Sequence, residues 1–318
     1  MSARPRVVVA RYLPAAGRER LAERFDVDEG TAAFDRAELM RRVAGADALV
    51  TDPTVAVDTD LLDAAGPRLR VVANFAVGYD NVDVDACRAR GVAVTNTPEV
   101  LTNATAELTV ALMLAAARRL GEGERLLRAG RWTGWEPSQL LGRELSGAVV
   151  GIVGLGRIGT RVAEMLRGFD VEPLYAARSR HLEAEERLGA RHATLEDLLA
   201  ESDVVTLHAP LTPETRHLID RDALARMKPG AVLVNTSRGG LVDAAALADA
   251  LARGRPAAAA LDVYEEEPRV PEELLALEQV VLAPHMGSAT TAARDGMASL
   301  VADNVIAVLG GGAPVTAV

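Results

Sequence analysis

The chain has 318 residues, 49% of them hydrophobic and 25% charged, with 27 Gly and 15 Pro. Those proportions exclude a disordered or collagen-like chain, and at roughly 150 residues per domain the length predicts about two domains. A formal net charge of −10 repels nucleic-acid phosphates and anionic lipid, so neither is an expected partner.

In chain order, Arg6–Ala10, Asp47–Thr51 and Leu69–Ala73 read as buried strands. Between the first two, Arg36–Ala44 places Leu39, Met40 and Val43 on one helical face. Glu99–Leu120 reads as one long helix. Six further strands are predicted at Ala148–Val153, Glu172–Ala176, Asp203–Leu207, Ala231–Asn235, Ala258–Asp262 and Gln279–Ala283. A second long helix, Ala289–Leu309, closes the chain. Strands alternating with helices predict βαβ units and parallel sheets covered on both faces, so the fold class is α/β with doubly wound sheets. Two long helices flanking one α/β unit are what a chain needs to leave one domain, build another and return. The expected domains are therefore 1–99 with 287–318, discontinuous, and an inserted 100–286.

Single residues narrow the chemistry. Lys228 is the only lysine, and with no GK[ST] sequence there is no Walker loop. Cys87 stands alone, which excludes an intrachain disulfide and a Cys-rich zinc site and points to a reducing compartment, the cytoplasm. The basic Met1–Arg6 runs into an apolar stretch of only Val7–Ala10, shorter than a signal peptide needs. Leu108–Ala117 is about half a membrane span, so no membrane partner is expected. The five His show no HxxxH spacing, and no metal is expected. His181 and His192 read as surface residues, His208 as structural or cleft-lining, and His217 as locally packed.

Gly154-Leu155-Gly156-Arg157-Ile158-Gly159 follows an apolar strand and opens a helix whose Ile158, Val162, Met165 and Phe169 share a face. In that setting GxGxxG is a dinucleotide fingerprint. Gly154 permits the turn, Gly156 lets the pyrophosphate approach the backbone, and Gly159 lets helix and strand pack closely. The cofactor choice falls to the next strand end, Tyr175-Ala176-Ala177-Arg178-Ser179-Arg180. Ala177 occupies the place of the acid that binds NAD ribose hydroxyls. The following Arg178, Ser179 and Arg180 suit a 2′-phosphate, with nothing nearby to repel it. NADP(H) is the expected cofactor, with NAD(H) possible.

Further segments resemble the D-isomer-specific 2-hydroxyacid dehydrogenase family: Thr236-Ser-Arg-Gly239, Leu261-Asp-Val-Tyr-Glu-Glu-Glu-Pro268 and Ala283-Pro-His-Met-Gly-Ser288, with Asn74–Asn81 and Thr95–Glu99 upstream. The resemblance covers nearly the whole chain and is nearest the glyoxylate/hydroxypyruvate reductases, a subgroup that Trp132–Pro137 also resembles. It implies a flavodoxin-like substrate domain, an inserted Rossmann domain, and reduction of a small 2-oxo acid to the D-2-hydroxy acid. By the same resemblance Arg238 binds substrate, Glu267 and His285 form the catalytic acid/base pair, and Asp262 supports them near the nicotinamide. Leu155–Ile158, Ala177–Ser179, Thr236–Arg238 and His285–Gly287 fall at the family's cofactor-contacting positions, with Met286, Thr105 and Pro210 among the implied contacts. The backbone N–H groups of Val77 and Gly78 are the implied receivers of the substrate carboxylate. Trp135 is an implied pocket residue, on a loop that packs near a partner in a homodimer. Two positions depart from the pattern: Ala177, where NAD-dependent members carry Asp, and Ser138-Gln-Leu140, where some reductases are more aromatic.

The chemistry is coherent on its own terms. Hydride addition to a 2-oxo acid puts negative charge on oxygen; a guanidinium holds the carboxylate and an imidazole supplies the proton. A carboxylate at Glu267 would orient His285 and stabilise its charged form. Competing readings keep the fold and change the substrate, to phosphite or phosphoglycerate, or make the chain a non-catalytic NAD(P)-sensing corepressor-like protein. Turnover of purified protein separates the last at once.

Overall fold

The computed structural model describes residues 4–31 and 35–318; of the basic Met1–Arg6 opening, Met1–Ala3 lie outside them. The chain divides into two compact units, Met1–Leu101 with Ser288–Val318, and Thr102–Gly287.

The first unit runs β1 (Arg6–Val9), α1 (Ala15–Ala22), β2 (Asp26–Glu29), α2 (Arg36–Arg42), β3 (Ala48–Thr51), α3 (Thr59–Ala65), β4 (Val71–Asn74), α4 (Val84–Ala89) and β5 (Ala93–Thr95). Asp35, Asp58 and Asp83 stand just before α2, α3 and α4, and each carboxylate accepts from first-turn N–H groups, so these starts are written in the sequence. The strands pair in parallel in the order β2-β1-β3-β4-β5, the flavodoxin-like arrangement. Val7, Val8, Leu49, Val71 and Val72 are fully buried. That is why these runs are continuously apolar: both faces of the sheet are covered. Cys87 packs in this core, and burial pushes its thiol up to about 11.

The second unit begins with α5 (Thr102–Ala117) and α6 (Leu120–Arg128). The continuous helix predicted over Glu99–Leu120 is therefore shorter and followed by a second. Glu99 and Arg119 both adopt left-handed backbone (φ 71° and 52°), which no α-helix tolerates, and the Arg143 N–H satisfies the Ala117 carbonyl at 2.8 Å. The unit continues through β6 (Val149–Val153), α7 (Arg157–Leu166), β7 (Glu172–Ala176), α8 (Leu182–Leu188), β8 (Arg191–His192), α9 (Leu195–Glu201), β9 (Val204–Leu207), α10 (Arg221–Arg226), β10 (Val232–Asn235), α11 (Ala244–Ala252), β11 (Ala258–Leu261), α12 (Glu272–Leu275) and β12 (Val280–Leu282). The last helix, α13 (Thr291–Leu309), returns to the first unit. The seven strands are parallel in the order β12-β11-β10-β9-β6-β7-β8, a doubly wound sheet whose order reverses between β6 and β9. Among the described residues, no helix is long and apolar enough to cross a membrane.

Three strands escape the sequence reading: β2, β5 and β8. All three are sheet edges. β2 is Asp-Val-Asp-Glu and β8 is only Arg-His; an edge strand buries little, so no apolar run announces it, and charge on an edge deters unwanted pairing.

Candidate active site

The glycine turn sits where the second sheet reverses. Gly154 leaves β6 with φ +94°, and a Cβ there would lie 2.8 Å from the His208 carbonyl and the Ala209 nitrogen at the exit of β9. A Cβ on Gly159 would lie 2.2 Å from the Gly154 oxygen, so only glycine lets α7 pack this close to its strand. Gly156 differs: a Cβ there meets nothing. It precedes α7, and no side chain caps the helix. An uncapped ten-residue helix thus starts beside a glycine with open space around it, which fits a dinucleotide pyrophosphate. Leu155 is buried, Ile158 half-buried and Arg157 exposed.

At the end of β7, Ala177 is half-buried while Arg178, Ser179 and Arg180 are exposed. The expectation that nothing near them would repel a phosphate needs correcting. Arg180 donates through Nε to Glu185 on α8 at 3.0 Å, and the buried Tyr175 hydroxyl donates to the same carboxylate at 2.6 Å while accepting from the His181 N–H at 2.8 Å. The Arg180 bond and then the Tyr175 bond hold Glu185 down at about 2. His192, expected at the surface, is half-buried with its ring edge-on to Tyr175, centroids 5.1 Å apart. His208, read as structural or cleft-lining, shares a hydrogen bond with Thr206 Oγ1 at 3.0 Å, and burial pushes its ring down to about 4.

Toward the other edge of the same sheet, past the ends of β10, β11 and β12, the remaining groups assemble. His285 Nδ1 and Glu267 Oε2 are 2.7 Å apart, and the Tyr264 N–H donates to Glu267 Oε1 at 3.0 Å. Burial opposes ionisation of Glu267, but the hydrogen bonds from His285 and Tyr264 and the charges of His285 and Arg238 outweigh it and lower its pKa. Asp262 is fully buried, accepts from the N–H groups of Met286 (2.6 Å) and Gly287 (2.8 Å), and through its carbonyl from that of His285 (2.9 Å). Burial raises its pKa despite those bonds. Its carboxylate therefore fixes the loop carrying the histidine, whose own backbone is left-handed (φ 54°).

Thr105 Oγ1 donates to the Gly287 carbonyl at 3.1 Å, and Thr109 Oγ1 links the Thr105 carbonyl (2.8 Å) to Thr236 Oγ1 (2.8 Å). The Arg238 turn is pinned by Ser237 Oγ donating to the Ala209 carbonyl (2.6 Å) and by Asn235 Nδ2 donating to the Arg238 carbonyl (2.8 Å). The Pro210 carbonyl accepts from Thr215 Oγ1 at 2.7 Å. Thr105, Thr236, Asp262, Glu267, His285, Met286 and Gly287 are thus joined by short hydrogen bonds, and the charge of Arg238 reaches Glu267. Val77 and Gly78 belong to the first unit, where Asn96 and Asn74 side chains anchor their carbonyls at 2.8 Å each. Trp135 is 81% exposed and Trp132 is 51% exposed.

The sequence reading missed Tyr264, Thr109 and Glu185. Tyr264 and Glu185 lie within quoted or adjacent segments and their partners are near in sequence, but the turns that bring Tyr264 to Glu267 and Arg180 to Glu185 leave no mark in spacing. Among the described residues, no cluster of three or more His, Cys, Asp or Glu side chains could hold a metal.

Known proteins resemble this chain in sequence and fold. The profile of the D-isomer specific 2-hydroxyacid dehydrogenase NAD binding domain matches residues 110–287. The glyoxylate reductase of Thermococcus kodakarensis is 50% identical over 321 residues, covering 99% of this chain and 96% of that protein. The glyoxylate reductase of Pyrococcus furiosus is 48% identical, covering 99% and 95%. Among solved structures, the NADPH-dependent glyoxylate/hydroxypyruvate reductase of Sinorhizobium meliloti, in complex with NADP and malonate, superposes with a TM-score of 0.88 at 38% identity, covering 99% of this chain and 97% of that one. The match of sequence along both units, and of fold over the whole length, leaves one assignment: this chain belongs to the D-isomer specific 2-hydroxyacid dehydrogenase family.

Proposed function

We propose that this protein reduces a small 2-oxo acid of the glyoxylate or hydroxypyruvate kind to the D-2-hydroxy acid, with NADPH as the preferred reductant. The observation that carries the reading is the 2.7 Å bond between His285 Nδ1 and Glu267. With Nδ1 committed to the carboxylate, Nε2 is the nitrogen left to protonate a carbonyl oxygen. The Glu267 carboxylate, accepting from Nδ1, fixes the tautomer and orientation of the ring. Arg238 binds the substrate carboxylate with its planar fork and polarises the carbonyl; the first unit is the substrate domain. The second unit holds the dinucleotide: pyrophosphate at Gly154–Gly159, further cofactor contacts from Thr105, Pro210, Thr236, Ser237, Met286 and Gly287, and Asp262 near the nicotinamide. Bound NADPH supplies the hydride; one substrate carbonyl gains that hydride on carbon and a proton on oxygen.

The names of the relatives support the substrate class, and the NADP of the Sinorhizobium structure supports the cofactor, as does the absence of an acid at Ala177. We further propose a homodimer, because Leu120, Leu127, Trp132, Trp135 and Leu141 are all exposed within one stretch of the second unit. The lone buried Cys87 supports a cytoplasmic setting. Absorbance at 340 nm with glyoxylate, hydroxypyruvate, pyruvate and bulkier 2-oxo acids, each with NADPH and NADH, tests the reading. Turnover of glyoxylate or hydroxypyruvate with the lower KM for NADPH is expected. No turnover of any 2-oxo acid overturns the reaction, and a clear NADH preference overturns the cofactor. Light scattering that finds a fully active monomer overturns the dimer.

A further inference from the structure

The acidic run Glu265-Glu266-Glu267 contains two carboxylates the reaction does not use, and one of them is not simply solvated. Glu265 Oε2 lies 3.0 Å from His217 Nε2, and Arg216 pairs with its other oxygen. The His217 bond, against some burial, leads the effects that lower the Glu265 pKa. His217 is itself unusual: its backbone is left-handed (φ 52°), a state a non-glycine residue keeps only when its surroundings hold it there.

Two bonds hold it. The His217 N–H donates to the Gly240 carbonyl at 2.8 Å, two residues after Arg238. Its ring binds Glu265, two residues before Glu267 and next to the Tyr264 N–H that holds Glu267 Oε1. The two segments also touch directly. A Cβ on Gly239 would lie 1.9 Å from the Tyr264 carbonyl carbon and 2.2 Å from the Glu265 nitrogen, so any slippage between them meets backbone. Ile219 extends the seam, its N–H donating to the Leu241 carbonyl at 2.9 Å.

We propose that His217 and Glu265 are positioning residues: together they set the spacing between the Arg238 turn and the Glu267–His285 pair. The inference rests on the reading of Arg238, Glu267 and His285 given above. Small displacements of a reacting group cost rate steeply, so the pair acts on turnover rather than on cofactor binding.

The test compares His217→Gln, Glu265→Ala, Glu265→Gln and the His217→Gln/Glu265→Ala double variant with the wild type and with His285→Ala. The readouts are kcat, KM, cofactor Kd, Tm and the pH profile of kcat/KM. Each of His217→Gln and Glu265→Ala is expected to lower kcat about tenfold, with cofactor Kd unchanged, and to move the alkaline limb of the profile to lower pH, because a loosened Glu267 supports the protonated pair less well. Glu265→Gln, which still accepts the ring N–H, keeps kcat within about threefold of wild type. The double variant is no worse than the poorer single, since both remove one link. If His217→Gln does not fold, His217→Asn replaces it, Asn being tolerant of left-handed backbone. Unchanged kcat and pH limb with a lowered Tm, or losses that multiply in the double variant, overturn the proposal. Full activity in His285→Ala overturns the parent reading instead, and is seen separately.

Discussion

Two regions of the second unit solve different problems. Around His285, nearly every polar atom is committed: Asp262 to two N–H groups, Glu267 to one N–H and one ring, the threonines to each other and to Gly287. Around Arg178–Arg180 the charges are exposed, and one is already neutralised by Glu185. The first region depends on geometry, where a side chain removed leaves a partner unsatisfied. The second depends on screened charge, where each group counts for little and substitution is tolerated. Catalytic identity is therefore expected to be rigid and cofactor preference adjustable.

Substitutions can break that contrast. The largest effect is expected for His285→Ala: a loss of at least about a hundredfold in kcat, with NADPH affinity nearly intact, because general acid catalysis is worth about 10² to 10⁴. Stopped-flow turnover with a separate cofactor titration checks it, and near-wild-type kcat would remove His285 from the mechanism.

Next come two of the three glycines of the turn. Gly159→Ala forces a Cβ to 2.2 Å from a backbone oxygen and should cost about 1–3 kcal/mol of stability. Gly156→Ala meets open space, so its Tm should hold while KM for NADPH rises about tenfold, where the methyl meets pyrophosphate. Thermal melts and cofactor titrations of both variants separate fold from function; equal Tm losses would contradict the split.

A smaller effect concerns acid stability. His208 is held near 4 in the fold, below its unfolded value of about 6.5, so the unfolded chain takes up a proton first. Its contribution is complete above about pH 6.5, falls as the pH drops, and levels off below about 4. With the ring partly open at the surface, on the order of 1–2 kcal/mol is expected. Chemical denaturation between pH 7 and 4.5 should show this slope, and His208→Gln should flatten it. The smallest effect sharpens the exposed region: Glu185→Gln frees Arg180 and should raise the NADPH-over-NADH ratio by about threefold. A fall in that ratio would mean that Glu185 orients Arg180 rather than competing for it.

The interior of both sheets was legible because buried parallel strands must be apolar on both faces, as Val7–Val9 and Val204–Leu207 are. The edges were not, since β2 and β8 bury too little to leave a pattern. The helix predicted over Glu99–Leu120 misled because periodicity continues through Arg119, whose left-handed backbone breaks the ladder without a Gly or Pro to mark it. Among the chemical groups, the glycine turn could be read directly, since its strand, glycines and helix follow one another without interruption along the chain. Arg238, Glu267 and His285 were recognisable as candidates only through motif context.

What the sequence alone determined, then, is whatever rests on neighbours along the chain: capped helix starts at Asp35, Asp58 and Asp83, apolar strands, and a strand–glycine–helix turn. Tertiary structure decided which distant groups meet. His217 was a loop residue until two crossings placed its backbone on Gly240 and its ring on Glu265. Hydrogen bonds act over about 3 Å of space regardless of separation along the chain, and only the packed fold brings residues 48 positions apart within that reach.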